Sequence, residues 1–310
     1  MIRTDLALEA HDIYRTSDNT NDSDGICSET EEKDGLCVTR IHVTNENGEK
    51  KLQKPIGAYI TIEAPDLKYS LEVYEAVCLQ IATELKKMLS LAPEDTVFVV
   101  GLGNRDITPD ALGPQVMSHL MITRHMKLHM SEYLDEGIAG VCAIAPGVLG
   151  TTGIETAEII RGVVERIKPK AIIAIDALAS RSLDRISTTV QLSDTGIAPG
   201  AGVGNRRDAL NRETLGIPVI AIGVPTVVDA ATIVSDSMDS VIADLEATDL
   251  PKKQKQTLIQ KTLSKNIERL MVTPKDIDLV IERAAKTVAN GINLALHKDL
   301  TFEEIESFVG

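Results

Sequence analysis

Two aspartates stand where a carboxylate can do chemistry. Asp176 ends the apolar run Ala171-Ile172-Ile173-Ala174-Ile175. A carboxylate at the end of a strand buried on both faces is partly desolvated, which raises its pKa unless it is paired. Asp110 closes Thr108-Pro109-Asp110, a proline-fixed turn inside the loop Gly101–Pro114. Carboxylates at the ends of two strands of one parallel sheet can converge. A pair in unlike environments can divide the work of general base and general acid on an attacking water. Each residue also has a plainer reading: Thr108 or Asp110 caps the next helix, and Asp176 caps the next turn.

Two glycine-bearing loops flank this pair. Gly101-Leu102-Gly103-Asn104-Arg105-Asp106 has Asp106 where a dinucleotide fingerprint needs its third glycine, and no GK[ST] follows. A nucleotide site is therefore not expected. Asp194–Arg207 holds four glycines and two arginines. It reads either as backbone that approaches a ligand closely or as a flexible surface loop. Asn104, Asp106 and Arg206 are the candidates to hold an oxyanion or a substrate carboxylate. His125 and His129 share a helical spacing but have no carboxylate at a matching interval. There is no HExxH, no GxSxG elbow and no paired Cys and His. No metal and no cofactor are expected.

The elements that must position these residues follow from periodicity. Cys37–Val43 and Gly57–Glu63 alternate apolar and polar around the turn signal Asn45–Gly48, which predicts an antiparallel pair. Ser70–Leu91 has helical spacing. From Thr96 the chain reads strand (Thr96–Gly101), helix (Leu112–Tyr133), strand (Gly140–Ala145), helix (Ile154–Ile167) and strand (Ala171–Ile175). Further strands are expected over Ile186–Leu192 and Ile217–Ile222. Helices are expected over Lys252–Leu270 and from an N-cap at Thr273-Pro274 to about His297. The expected fold is α/β: a mainly parallel, doubly wound sheet flanked by helices, with a small antiparallel N-terminal element and a helical C-terminal part over 250–310.

Composition bounds the function. The chain has 310 residues, 43% of them hydrophobic, so a large core can be buried. It has no Trp, 3 Phe, 5 Tyr and a net charge of −14, a poor match to nucleic acid. Ser17–Gly35 holds seven acidic residues against one lysine and reads as a mobile, solvated loop. Four scattered cysteines without a CxxC fit a reducing cytoplasm. No apolar run is long enough to span a bilayer and no secretory leader is evident.

Five motifs carry a resemblance that covers nearly the whole chain. They are Arg3-Thr4-Asp5-Leu6-Ala7-Leu8-Glu9, Gly101–Pro114, Ala145–Thr156, Ala174–Arg181 and the glycine loop through Asn205-Arg206. Together they are similar to the germination proteases of spore-forming bacteria, whose fold is like that of hydrogenase maturation endopeptidases. The resemblance implies a zymogen that cleaves itself, a tetramer, and substrates that are the small acid-soluble proteins of the spore core. The family's two catalytic aspartates fall on Asp110 and Asp176. Its cleavage pattern, an acidic residue, an apolar residue and then Glu, recurs at Asp5-Leu6-Ala7-Leu8-Glu9. Self-cleavage is expected between Asp5 and Leu6, giving a propeptide 1–5 and a single α/β protease domain 6–310. Alternatives from the residues alone are a metal-assisted peptidase using Asp106, Asp110 and Asp176, and a non-catalytic phosphate-binding module.

Overall fold

The computed structural model describes residues 4–18, 25–68, 70–130, 132, 137–198, 208–234, 237, 270–298 and 300–309. Its strands are β1 (Ile26–Lys33), β2 (Leu36–Val43), β3 (Gly57–Glu63), β4 (Thr96–Gly101), β5 (Gly140–Ile144), β6 (Ala171–Ser180), β7 (Thr189–Ser193), β8 (Val219–Asp229) and β9 (Met271–Val272). The helices are α1 (Ala7–Asp18), α2 (Glu46–Leu52), α3 (Leu71–Met88), α4 (Leu112–Val116), α5 (Arg124–His129), α6 (Leu149–Thr152), α7 (Thr156–Ile167), α8 (Arg212–Leu215), α9 (Ile277–Leu296) and α10 (Phe302–Val309).

Among the described residues the strands share one sheet, ordered β1-β2-β3-β7-β8-β6-β4-β5, with β9 paired to β8. The half β8-β6-β4-β5 is parallel. The half from β1 to β8 is antiparallel throughout. The sheet is therefore mixed, not the mainly parallel doubly wound sheet expected. The physical reason is that β7 returns beside β8 with reversed direction and extends the antiparallel hairpins into the main sheet.

Burial explains the parallel half. Val97 and Val99 pack in one cluster with Ile173, Ile175, α3 and α9, while Phe98 and Val100 pack in a second with Ile172, Ala174 and α7. Both faces are covered, so these strands read as unbroken apolar runs. Helix α3 starts where Ser70 accepts a hydrogen bond from the Val73 amide, 3.2 Å, and it buries Val77, Cys78, Ile81 and Leu85.

Four local expectations change. Ser17–Gly35 is not one mobile loop, because Ile26–Lys33 pairs in register along β2. Asn45–Gly48 is a helix start, since Asn45 Oδ1 accepts from the amides of Asn47 and Gly48 at 2.9 and 3.1 Å. The single helix expected over Leu112–Tyr133 is broken. Asn293 takes the Met121 amide and donates to the His119 carbonyl, replacing helical hydrogen bonds at the bend. Thr273 does not cap α9: its hydroxyl donates to the Thr226 carbonyl, 2.9 Å, and the helix opens after Asp276. The helix expected over Lys252–Leu270 lies outside the described residues, apart from Leu270.

Helix α1 docks on the antiparallel half through Ala7 and Leu8, against Ile26, Ile41, Val43 and Tyr59. A charge cluster locks it there. The Arg185 guanidinium reaches Glu9 at 3.1 Å, Asp12 at 3.2 Å and Glu63 at 3.0 Å. The Glu9 side chain is only 1% exposed, so removing its cation leaves a buried charge short of a partner. Arg185→Met is expected to cost about 3 kcal/mol and to speed amide exchange over residues 7–18. Arg185→Lys should recover little, because one ammonium cannot replace the fork. Native-like exchange in Arg185→Met would contradict this.

Candidate active site

The loop after β4 is shaped by close backbone approach. Gly103 has φ +106, and a Cβ there would sit 2.0 Å from the Asp110 carbonyl oxygen. A Cβ on Gly113 would meet the Leu102 backbone at 2.3 Å. Only glycine allows the strand end and the start of α4 to touch. The fold-back lets the Asn104 amide donate to Asp110 Oδ2 at 2.8 Å. Thr226 Oγ1 on β8 donates to the Pro109 carbonyl, also 2.8 Å, and ties the turn to the sheet.

Asp176 sits differently from expectation. It does not end its strand, because β6 runs on to Ser180 while paired with β8. It lies one residue past Ile175, the partner of Gly101, where β4 stops. The apolar run and the neighbouring strand end there, and the residue's own strand continues. Asp176 is 7% exposed and accepts the Ala177 amide at 3.0 Å. Burial first, then the charges of Asp110 and Asp5, push its carboxyl well above the usual carboxylate range.

Asp5 completes the group. Asp5, Asp110 and Asp176 line one cavity of about 340 Å³ with Ile107, Pro109, Leu178, Val227 and Met271. The Asp5 amide donates to the Ala179 carbonyl, and the Ala179 amide donates to Asp5 Oδ2, both at 2.9 Å. Burial raises the Asp5 carboxyl, against the pull of the Ala179 amide and Lys54. The Asp5 carbonyl oxygen accepts from Lys54 Nζ at 2.7 Å and Gln191 Nε2 at 3.3 Å. Leu6 is fully buried, and its amide donates to Thr4 Oγ1 at 3.1 Å. Glu9, four residues after Asp5, accepts the amides of Arg181 and Ser182 at 2.7 and 3.0 Å. The stretch Thr4–Glu9 is thus held at the carboxylate cavity by its own backbone and side chains.

The other candidates divide. The Asn104 amide orients Asp110, while its side chain accepts the Asp106 amide at 3.0 Å. Asp106 is exposed and does not line the cavity. Arg206 and the glycines at 200, 202 and 204 lie outside the described residues. Asp194, at the start of that loop, accepts the Ala58 amide at 2.8 Å and ties the loop to β3. Sequence reasoning missed Lys54 and Gln191. Lys54 follows Lys50 and Lys51 in a polar stretch, and Gln191 is a polar position of an alternating strand, so neither carried a signal. Among the described residues no helix is long and apolar enough to cross a membrane.

The buried Asp176 sets a pH dependence of stability. Its pKa is higher folded than unfolded, so the folded state gains from it at low pH. That gain is lost as pH rises through the raised value. Asp176→Asn is expected to raise the midpoint at neutral pH, by roughly 2–4 °C per kcal/mol recovered. The advantage should vanish below the ordinary carboxylate range. Thermal scans from pH 3 to 8 measure it, and a variant less stable than wild type at pH 8 would contradict the sign.

Comparison with known proteins agrees with the motifs. A sequence profile described as germination protease matches residues 7–248 and 246–309. Relatives named germination protease are 46% identical in Clostridium perfringens strain SM101 and 47% in Clostridium tetani strain E88. The first alignment covers 99% of both chains, and so does the second. One from Geobacillus sp. strain WCH70 is 40% identical over 99% of this chain and 96% of its own. A match of this depth over the whole length, on a fold that gathers aspartates at a cavity, is decisive: the chain belongs to the germination protease family of peptidases.

Proposed function

We propose that this peptidase of spore germination is made as a zymogen, cleaves itself between Asp5 and Leu6, and then cuts small acid-soluble spore proteins. The observation that carries the reading is the position of Thr4–Glu9, whose Asp5 lines the same cavity as Asp110 and Asp176. The preference for an acidic residue before the cut and Glu beyond it has a physical counterpart. Asp5 takes the Ala179 amide, and Glu9 takes two amides and the Arg185 guanidinium.

In this reading Asp176 carries the proton, since burial and two neighbouring carboxylates favour its neutral form. Asp110, oriented by the Asn104 amide, is the ionised partner and takes a proton from water. Water adds to the Asp5 carbonyl carbon, and the bond to the Leu6 nitrogen breaks. Asp176 supplies the proton to the departing amine. The pair titrates as a unit, so cleavage should follow a bell-shaped pH profile. No cofactor enters. The working assembly is a homotetramer in the cytoplasm of the spore core, with no role for membrane or nucleic acid.

Asp110→Asn and Asp176→Asn should each abolish self-cleavage and spore-protein digestion, a loss of at least about 10²-fold, with folding intact. N-terminal sequencing of the processed wild type should begin at Leu6, and strong chelation should leave the rate unchanged. A product beginning elsewhere would remove the cleavage site. Near-normal cutting by either variant would remove the aspartate pair. Chelator-sensitive activity restored by a divalent ion would favour a metal-assisted peptidase.

A further inference from the structure

We propose that Lys54, aided by Gln191, is the electrophilic catalyst of self-cleavage, donating to the oxygen of the bond between Asp5 and Leu6. The proposal rests on that bond being the one cut. Peptide hydrolysis builds negative charge on the carbonyl oxygen as water adds, and a preorganised donor there is among the largest single contributions to rate. The aspartate pair handles water and the leaving amine but offers no positive charge to this oxygen.

Two side-chain donors converge on it. Lys54 Nζ lies 2.7 Å away and Gln191 Nε2 3.3 Å away. They come from different parts of the fold. Lys54 follows α2 and its left-handed cap residue Gln53, and Gln191 sits on β7. Gln191 is itself fixed, because its Oε1 accepts the Ala7 amide at 2.6 Å and its amide group is thereby turned toward the Asp5 oxygen. One glutamine thus grips the chain on both sides of Leu6.

A simpler role for Lys54 is to neutralise the carboxylates of Asp5 and Glu9. Those groups have their own partners. Asp5 Oδ2 takes the Ala179 amide, and Glu9 takes Arg181, Ser182 and Arg185. The directed contact of the ammonium is with the carbonyl oxygen. Burial lowers the pKa of Lys54 below that of an exposed lysine, while the charges of Asp5 and Glu9 favour its charged form. Through the reaction Lys54 keeps its proton. It hydrogen-bonds the oxyanion while the carbon–nitrogen bond breaks, the water oxygen joins the Asp5 carbonyl carbon, and the new amine leaves on Leu6.

The test uses the full-length precursor, with self-cleavage followed by intact mass and the product's first residue by sequencing. Lys54→Met is expected to slow cutting by about 10²-fold or more, and Gln191→Leu to slow it less. Lys54→Arg should restore part of the rate. The bell set by the aspartate pair should remain in Lys54→Arg, because the guanidinium stays charged across it. Melting curves check folding, and Lys54→Gln replaces the methionine variant if that one does not fold. Lys54→Met or Lys54→Gln within fivefold of wild type, still cutting before Leu6, overturns this proposal alone. A wild-type chain that cuts elsewhere overturns the self-cleavage reading and this proposal with it.

Discussion

A carboxylic acid set inside a hydrogen-bonded, apolar strand must either keep its proton or find a cation, and burial biases Asp176 toward the first course. Its strand is the second of the parallel half, covered on both faces. Its neighbour β4 stops one pairing earlier, so the side chain has room beside it but little water. The charges added by Asp110 and Asp5 deepen the same bias. Three carboxyl groups share the cavity, and their nearness adds to burial in favouring the neutral form of Asp176.

The mixed sheet serves this arrangement. The parallel half brings the loop after β4 and the middle of β6, and with them Asp110 and Asp176, to one cavity. The antiparallel half brings β3, β7 and α1 alongside, and so delivers Asp5, Lys54 and Gln191 from the other direction. Neither half alone would bring the N-terminal segment to the aspartates. The join at β7 and β8 is therefore as much part of the site as the glycine loop.

Much of this was legible in the sequence. The continuous run Val97–Val100 announced a strand buried on both faces, and the glycines at 101, 103 and 113 marked a tight loop presenting Asp110. The extension of β6 past Asp176 was not legible, because Asp is a poor strand residue and remote partners, β8 and Asp5, hold it there. The direction of β7 was hidden too, since five alternating residues carry no information about orientation. Lys54 was invisible for a related reason. A lysine among lysines reads as solvated, and its value comes from a carbonyl 49 positions away in sequence. The break in Leu112–Tyr133 depended on Asn293, which is equally remote.

The strand β1 has a consequence for how copies of the chain can meet. It forms one end of the sheet and presents Glu29, Glu31 and Glu32 to solvent, with Lys33 as its one cation. Among the described residues nothing pairs with its outer side, and an edge of this length is a template for adding a second strand. Two copies approaching through this edge would set rows of carboxylates against each other, and the added backbone pairing would be opposed along its length. The acid that dominates this stretch thus disfavours growth of the sheet across molecules through this edge.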